Sequence, residues 1–181
     1  MSKILSHIED QILVMDAQDG NRQAMDALVR RWQQRLWQHA LRLTGDPHAA
    51  WDVTQSAWYD IIRRLGKLQD PAAFRAWAFK ITTCKSIDWL KSKQRKSSIS
   101  AETIDQLTIE QKSDPGIDEL LKKLDINKRI VVCLYYYEGL SVSEISESLN
   151  IPSGTVKSRL FSARNKLKQL WEQVFNESFG S

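Results

Sequence analysis

The segment of the sequence with the most uneven charge is a basic stretch near the C-terminus. Residues 152–168 read PSGTVKSRLFSARNKLK and hold five cationic side chains and no acidic one. A helix does not need such a charge in order to fold, and a one-sided positive surface suits a polyanionic partner such as nucleic acid. The alternative is a solvated basic face on an ordinary surface helix.

The residues around this stretch are typical of a helix-turn-helix. The sequence Ser141-Val142-Ser143-Glu144 predicts a capping box that starts a short helix ending at Leu149. Residues 150–152 then turn the chain, and a longer helix opens near Ser153 and runs past Trp171. Apolar residues at steps of three and four predict the face that packs on the preceding helices: Val156, Leu160, Ala163, Leu167 and Leu170.

The remaining positions of the last helix carry side chains suited to a DNA groove. Arg and Lys donate to guanine edges and phosphates, Ser bonds to either, and an exposed Phe can touch a thymine methyl group. Hydroxyl residues at the positive end of the helix suit a phosphate. The turn, the capping box and the acid-free face together favour DNA contact over a merely solvated face. The candidate contacts are Ser153, Thr155, Lys157, Ser158, Arg159, Phe161, Ser162, Arg164 and Lys168.

The composition of the whole chain limits the classes of protein that it can represent. The chain has 181 residues, 42% hydrophobic content and a net charge of +4, which predicts one domain or two small ones with a packed core. Cys84 and Cys133 lie far apart, as expected of a reducing, cytoplasmic location. We expect no secretory signal, no membrane insertion, no cofactor and no metal. The sequence contains no motif typical of an enzyme active site, so we do not expect an enzyme. The three histidines, His7, His39 and His48, are expected in surface or packing roles.

Glycine and proline divide the sequence into segments of helical period, which predicts an all-α fold. Helices are expected over 21–44, 46–65 and 71–93, with Gly45 closing the first and Asp-Pro pairs starting the next two. A further helix is expected over 117–138, ended by Gly139. We predict two small helical domains, 1–95 and 117–175, joined by a flexible linker over 96–116.

The charge of the chain follows this division. Residues 1–96 hold 16 basic and 10 acidic side chains, and residues 128–181 hold 7 and 5. Residues 97–127 hold 3 basic and 7 acidic side chains. Two basic domains therefore flank an acidic connector.

Three blocks, in order, resemble the bacterial RNA polymerase sigma factors of the extracytoplasmic-function group. They read ALRLTGDPHAAWDVTQSAWYDI, FRAWAFKITTCKSIDWLKSK and LSVSEISESLNIPSGTVKSRLFSAR. The resemblance implies that the first domain docks on the β′ clamp coiled coil of core RNA polymerase and opens the −10 promoter element. It implies that the second domain reads the −35 element and sits on the β flap. The acidic linker would run through the cationic channels of the polymerase.

The resemblance also implies residue roles in the first domain. Core binding is expected from Asp52 and Gln55, with Arg42 and Tyr59 beside them, and Trp51 stands where the family usually has Glu. Trp58 is expected in the core. Contact with the −10 strand is expected from Lys67, Gln69, Lys80, Cys84, Lys85 and Lys91.

The helix after Pro71 has an apolar stripe that is more typical of core packing than of base stacking. Its members are Phe74, Trp77, Ile81 and Trp89. Cys84 stands where the family often has Asn, and we expect a small thiol that lines the core. Ser162 stands where the family often has Arg.

Two other classes of protein remain open on the sequence alone. A stand-alone helix-turn-helix regulator would use the same last helix, although such proteins usually dimerise and no dimerisation coiled coil is visible. A protein-interaction module would bind an inhibitor without DNA. Sigma factors of this group are often held by anti-sigma factors, so such a partner is compatible with the main interpretation, in which the chain acts as a monomer.

Overall fold

The computed structural model describes the backbone of residues 2–99 and 116–179, with side chains over 5–95 and 116–174. All regular structure in these ranges is helical. Most of the predicted linker lies outside the described residues. The eight α-helices are α1 (Ser2–Gln18), α2 (Arg22–Thr44), α3 (Pro47–Arg64), α4 (Phe74–Ile99), α5 (Ile117–Lys122), α6 (Ile126–Val132), α7 (Val142–Leu149) and α8 (Ser153–Phe179).

Helices α1–α4 form the first lobe, and its chain breaks fall where the sequence predicts them. The Asn21 side chain caps α2, and Gly45, at φ 73°, closes that helix in the left-handed conformation that glycine adopts without strain. The Asp46 side chain caps α3, with Pro47 in its first turn. A 3₁₀ turn over Pro71–Ala73 precedes α4. The indole of Trp32 lies at the centre of the core, with its centroid 5.3 Å from that of Phe74.

Polar contacts fix α1 against α2. The indole Nε1–H of Trp32 donates to the buried carboxylate of Asp10 over 3.1 Å. Arg31 lies 2.6 Å from the same carboxylate and 2.9 Å from Glu9. Since a buried carboxylate is costly without partners, these contacts set the rotation of α1 on the lobe.

The second lobe, α5–α8, corrects one prediction. The single helix expected over 117–138 is wrong, because the chain breaks after α5 and restarts at α6. The Asp125 side chain accepts a hydrogen bond from the backbone N–H of Lys128 and so caps α6. A π-helical turn over Cys133–Tyr137 follows α6, and Gly139, at φ 65°, ends the segment as expected.

The helix-turn-helix consists of α7 and α8. The predicted capping box is present, since Ser141 Oγ accepts from the N–H of Glu144 and the Glu144 carboxylate accepts from the N–H of Ser141. Asn150 ends α7 in the left-handed conformation, at φ 53°. This turn sends α8 back across the lobe so that Val156 and Leu160 are buried.

The two lobes pack against each other, and their buried side chains form one continuous cluster. Polar contacts also cross between them. The carboxylate of Glu138 lies 3.6 Å from the Arg35 guanidinium and 3.7 Å from that of Arg42. Arg129 donates to the Leu43 carbonyl over 3.2 Å. The protein is therefore in a closed arrangement, in which the two lobes pack against each other.

Candidate nucleic-acid and polymerase interfaces

The last helix has the two faces that the sequence predicts. Val156, Leu160, Ala163 and Leu170 are buried, and Leu167 is half-buried. Most of the predicted contact residues are exposed, including the Phe161 ring at 61%, whereas Thr155, Arg159 and Ser162 are half-buried. Exposed basic residues surround this ring: Lys157, Arg164 and Lys168. The closed arrangement thus leaves this basic face open to solvent.

The candidate DNA contacts on α8 span a wide arc. At about 100° per residue, Lys157 and Arg159 point roughly 160° apart. Ser158 and Ser162 lie between them, with Phe161 nearer to Lys157. This order places Phe161 and the two serines between one edge with Lys157, Arg164 and Lys168 and an opposite edge with Arg159. Such an arrangement suits base edges in the groove and phosphates on its two sides.

The turn expected at the −10 strand is held by a contact from α1. Lys67 and Gln69 are exposed on this turn. The Gln18 amide donates to the carbonyls of Leu65 and Leu68, over 2.9 Å and 2.7 Å. The Leu65 carbonyl also accepts from the backbone N–H of Leu68, over 3.0 Å. The Gln18 amide therefore ties both ends of this short turn to α1 and fixes the backbone that presents Lys67 and Gln69.

On α4 the structure exposes most of the predicted contact residues. Lys80 and Lys91 are exposed, whereas Lys85 is half-buried, with its ammonium 2.8 Å from the Asp60 carboxylate. The hydrogen bond from Lys85 lowers the pKa of Asp60 against the opposing effect of desolvation, and the charges of Lys85 and the nearby arginines add to it. Asp60, on α3, therefore positions Lys85.

Two expectations for α4 need correction. Cys84 does not line the core, because its thiol is exposed. The inward positions beside it are polar: Thr82, Thr83 and Ser86 are fully buried. The hydroxyls of Thr82 and Ser86 donate to carbonyls one turn earlier, so these residues can occupy the core. The predicted apolar stripe is fully buried only at Phe74 and Ile81, while Trp77 and Trp89 are half-buried, although both still pack against buried clusters of the core.

The third buried hydroxyl of α4 meets a histidine. Nε2 of His39 and Oγ1 of Thr83 are 2.8 Å apart, inside the core. Burial and, to a smaller extent, the charge of Arg42 together lower the pKa of His39 from 6.5 to about 3. His39 is therefore neutral near pH 7 and packs in the core, as expected.

The predicted docking residues of α3 share an exposed face. Asp52, Gln55 and Tyr59 are exposed, with the Tyr59 ring at 62%, and Trp58 is buried as expected. Trp51 is also exposed on this helix, and its ring centroid lies 5.7 Å from that of Trp37 on α2. The face therefore combines a carboxylate, an amide and aromatic rings, which are suitable anchors for a protein partner.

Arg42 is not part of that face in the closed arrangement. Its guanidinium lies over the Tyr137 ring and near Glu138, both in the second lobe. Burial raises the pKa of Glu138, while the charges of Arg35 and Arg42 oppose this effect.

The sequence reasoning missed several exposed aromatic residues of the second lobe. Tyr135 and Tyr136 are exposed on the π-helical turn with their rings edge to face, and Trp171 is exposed on α8. The three consecutive tyrosines before Glu138 are visible in the sequence, but the sequence alone does not indicate which of their rings are exposed.

Two models of known protein families match the chain, in the order of the lobes. The model described as Sigma-70 region 2 matches residues 28–96, and the model described as Sigma-70, region 4 matches residues 116–167. Helix α1 precedes both. Within the described residues, no helix is both long and apolar enough to cross a membrane.

Relatives cover both lobes together. The RNA polymerase sigma-H factor of Pseudomonas aeruginosa is 25% identical over 193 residues, which cover 97% of this chain and 100% of that protein. The ECF RNA polymerase sigma factor SigL of Mycobacterium tuberculosis is 34% identical over 153 residues, covering 77% and 84%. Among solved structures, CnrH in complex with the cytosolic domain of CnrY has a TM-score of 0.70 and 27% identity, covering 91% and 98%.

The family expected from the three sequence blocks is thus confirmed, and the comparisons give no support to a stand-alone regulator. The known members are non-enzymatic transcription initiation factors. The chain belongs to the extracytoplasmic-function group of the sigma-70 family, as an alternative sigma factor that directs RNA polymerase to promoters.

Proposed function

We propose that this sigma factor reads the −35 element with α8 and the −10 element with the turn over 65–70 and the exposed side of α4. The observation that carries the proposal is the solvent-exposed face over residues 153–168 of α8, which holds no acidic side chain and has Phe161 with Lys157, Arg164 and Lys168 around it. The first carboxylate beyond it, Glu172, lies 3.8 Å from the Lys168 ammonium. A helix of this kind behind a short capped helix is suited to the major groove.

Strand opening at −10 rests on the first lobe. Lys67, Gln69, Lys80 and Lys91 give an exposed basic and polar surface for an unpaired strand, with Cys84 on the same helix. Extrusion of a base costs a few kcal/mol, so a turn that is already fixed lowers the cost of capture. The hydrogen bonds from Gln18 supply that fixation.

Two surfaces serve the polymerase in this proposal. Asp52, Gln55 and Tyr59 dock on the β′ clamp coiled coil, with Trp51 as an aromatic anchor in place of the usual carboxylate. Tyr135 and Tyr136 contact the β flap. Exposed aromatic rings with polar neighbours are the composition expected of a binding hot spot.

The division of labour follows the predicted domains, with 1–95 for docking and −10 recognition, 96–116 as linker and 117–175 for −35 recognition. An anti-sigma factor is a further partner, since CnrH, a structural relative, was solved in complex with the cytosolic domain of CnrY. The chain acts in the cytoplasm as a monomer when it is not bound to polymerase or to this partner.

The test combines the purified chain with core RNA polymerase and a library of genomic fragments. We expect binding to core and new start sites that share −35 and −10 elements. Specific retention of DNA by the chain alone, without binding to core, would contradict the proposal.

A further inference from the structure

A carboxylate of the second lobe holds a cation of the first lobe at the surface proposed for −10 DNA. Nη2 of Arg75, in the first turn of α4, lies 3.1 Å from Oε1 of Glu144 on α7. The same Nη2 lies 3.4 Å from the Gly139 carbonyl. Nε of Arg75 is buried and has no hydrogen-bond partner. Arg75 therefore has a donor that Glu144 does not use. A phosphate offers more acceptor oxygens than the single carboxylate oxygen that Arg75 now contacts, so it could accept from more than one N–H of the guanidinium.

Arg75 faces a groove between the lobes. The groove has a volume of about 760 Å³ and is lined by α1, α4, α7 and the segment over 68–73, which adds the carboxylate of Asp70. Lys80 lines it one and a half turns after Arg75, and no carboxylate of the described residues is within ion-pair distance of Lys80. Glu144 and Glu147 line the opposite wall. Arg75 and Lys80, a member of the proposed −10 surface, thus face Glu144 and Glu147 across a space that a nucleic-acid strand could otherwise enter.

The ion pair between Arg75 and Glu144 is exchangeable. Its side chains are 29% and 39% exposed, and an ion pair at that exposure adds little net stability. The carboxylate of Glu144 also accepts the capping hydrogen bond from Ser141, so the orientation of Glu144 does not depend on Arg75. Glu144 is therefore held in place by its own helix and offers Arg75 a single negative charge, which a polyanion can displace.

We propose that Arg75, together with Lys80, binds a backbone phosphate of the −10 strand, and that Glu144 occupies this site in the closed chain. The sigma factor would then block its own −10 surface until the lobes separate. The inference rests on the proposed function, because it assigns regulation to the same −10 surface.

The experiment measures binding of the full chain to a fluorescein-labelled single-stranded oligonucleotide of mixed sequence, by anisotropy over a series of salt concentrations. Glu144→Gln removes the charge but keeps a side chain that can complete a capping box. Glu147→Gln is the matched control, because it removes the same charge from the same wall of the groove. Arg75→Gln and the double variant Arg75→Gln/Glu144→Gln complete a cycle.

We expect Glu144→Gln to tighten binding about two- to fivefold beyond Glu147→Gln, the range that an exposed ion pair supplies. Arg75→Gln should weaken binding and reduce the salt slope by about 0.7, as for the loss of one phosphate contact. In the double variant the gain from Glu144→Gln should vanish. A gain that persists without Arg75, or that equals the gain from Glu147→Gln, would overturn the inference.

A parallel assay separates this inference from the proposed function. Wild-type chain and Arg75→Gln are each combined with core polymerase and scored for open complexes on a mapped promoter. Fewer open complexes for Arg75→Gln, with normal binding to core, support the phosphate site. Initiation by wild type with no defect in Arg75→Gln overturns the inference alone. Failure of wild type to bind core or to initiate would instead overturn the proposed function.

Discussion

The guanidinium carbon of Arg42 lies 3.9 Å from the centroid of the Tyr137 ring, so that a cation of the first lobe stacks on an aromatic ring of the second. Glu138 follows Tyr137 in the chain and lies near the same guanidinium. Since Glu138 is buried and its nearest cations belong to the other lobe, the closed arrangement places a carboxylate where water cannot reach it freely.

We predict that Glu138 makes the stability of the closed chain depend on pH. Burial raises the pKa of Glu138, against the opposing charges of Arg35 and Arg42. A carboxyl whose folded-state pKa exceeds its unfolded value binds more protons in the folded state, so the free energy of unfolding falls as pH rises through that interval. Urea unfolding at a series of pH values above 4.5, the ordinary value, should show this fall.

The variant Glu138→Gln should flatten this dependence, and Glu119→Gln, at an exposed glutamate, should leave it unchanged. An identical slope for wild type and Glu138→Gln would contradict the assignment.

His39 should give the opposite dependence on pH. Its folded-state pKa of about 3 lies below the ordinary 6.5. The unfolded chain takes up a proton as pH falls below 6.5 and the folded chain does not, so the free energy of unfolding should fall by up to about 1.4 kcal/mol per pH unit. Denaturant unfolding between these values measures the slope. His39→Gln should remove this part of the slope, whereas His48→Gln, at an exposed histidine, should not.

Docking on polymerase should depend on the exposed face of α3. The double variant Asp52→Ala/Gln55→Ala should weaken binding to core while leaving the fold intact, because both side chains are exposed. Tyr59→Ala should cost about 1–2 kcal/mol of binding free energy if its ring is an anchor. Competition for core against unlabelled wild type measures both. Gln169→Ala, at an exposed glutamine of the second lobe, is the control, and normal competition by the double variant would show that the face is wrongly assigned.

Promoter use should depend on both edges of the arc on α8. Lys157→Ala or Arg159→Ala should weaken use of the −35 element by about 1–3 kcal/mol for a base contact, or reduce the salt slope by about one for a phosphate contact. Binding of holoenzyme to promoter DNA at several salt concentrations distinguishes the two cases. Lys123→Ala removes an equal charge from the same lobe and should have no comparable effect. Unchanged promoter use in both variants would contradict the assignment of this face of α8 to the −35 element.

The two thiols should react differently with maleimide. Cys84 is exposed, whereas Cys133 is buried, and burial raises the pKa of the Cys133 thiol to about 12. One equivalent should therefore label the native chain and two the denatured chain, counted by mass spectrometry. A bulky label on Cys84 should lower open-complex formation and spare binding to core. Cys84→Ser treated in the same way is the control, and normal opening by the labelled chain would exclude Cys84 from the −10 surface.

The sequence was sufficient wherever a local rule sets the structure. Gly45, Asp46 and Ser141 act at the helix ends where their residue types predict them, and the steps of three and four separated the two faces of α8. Position 125 shows the limit of this reasoning. The apolar spacing runs through it, yet an aspartate that caps a new helix overrode the period.

Long-range packing explains the other errors. Cys84 was expected in the core because a small thiol is usually buried. The structure instead buries Thr82 and Ser86, whose hydroxyls donate to backbone carbonyls of their own helix, and no local pattern in the sequence indicates this. Packing of the two lobes also sets the surroundings of Arg42, whose partner Glu138 is almost a hundred residues away. A single sequence does not reveal such a contact, whereas the residues that share one face of a helix follow from their spacing of three and four.

The hydrogen bonds from Gln18 have a consequence for how this protein is shortened. The segment that matches the sigma-70 models begins at residue 28, so a version trimmed to that boundary would lack α1. The carbonyls of Leu65 and Leu68 would lose the hydrogen bonds from Gln18, and the turn with Lys67 and Gln69 would be held less firmly. A chain trimmed in this way would still carry its polymerase-docking face and α8. We therefore expect it to bind promoters with polymerase but to form few open complexes.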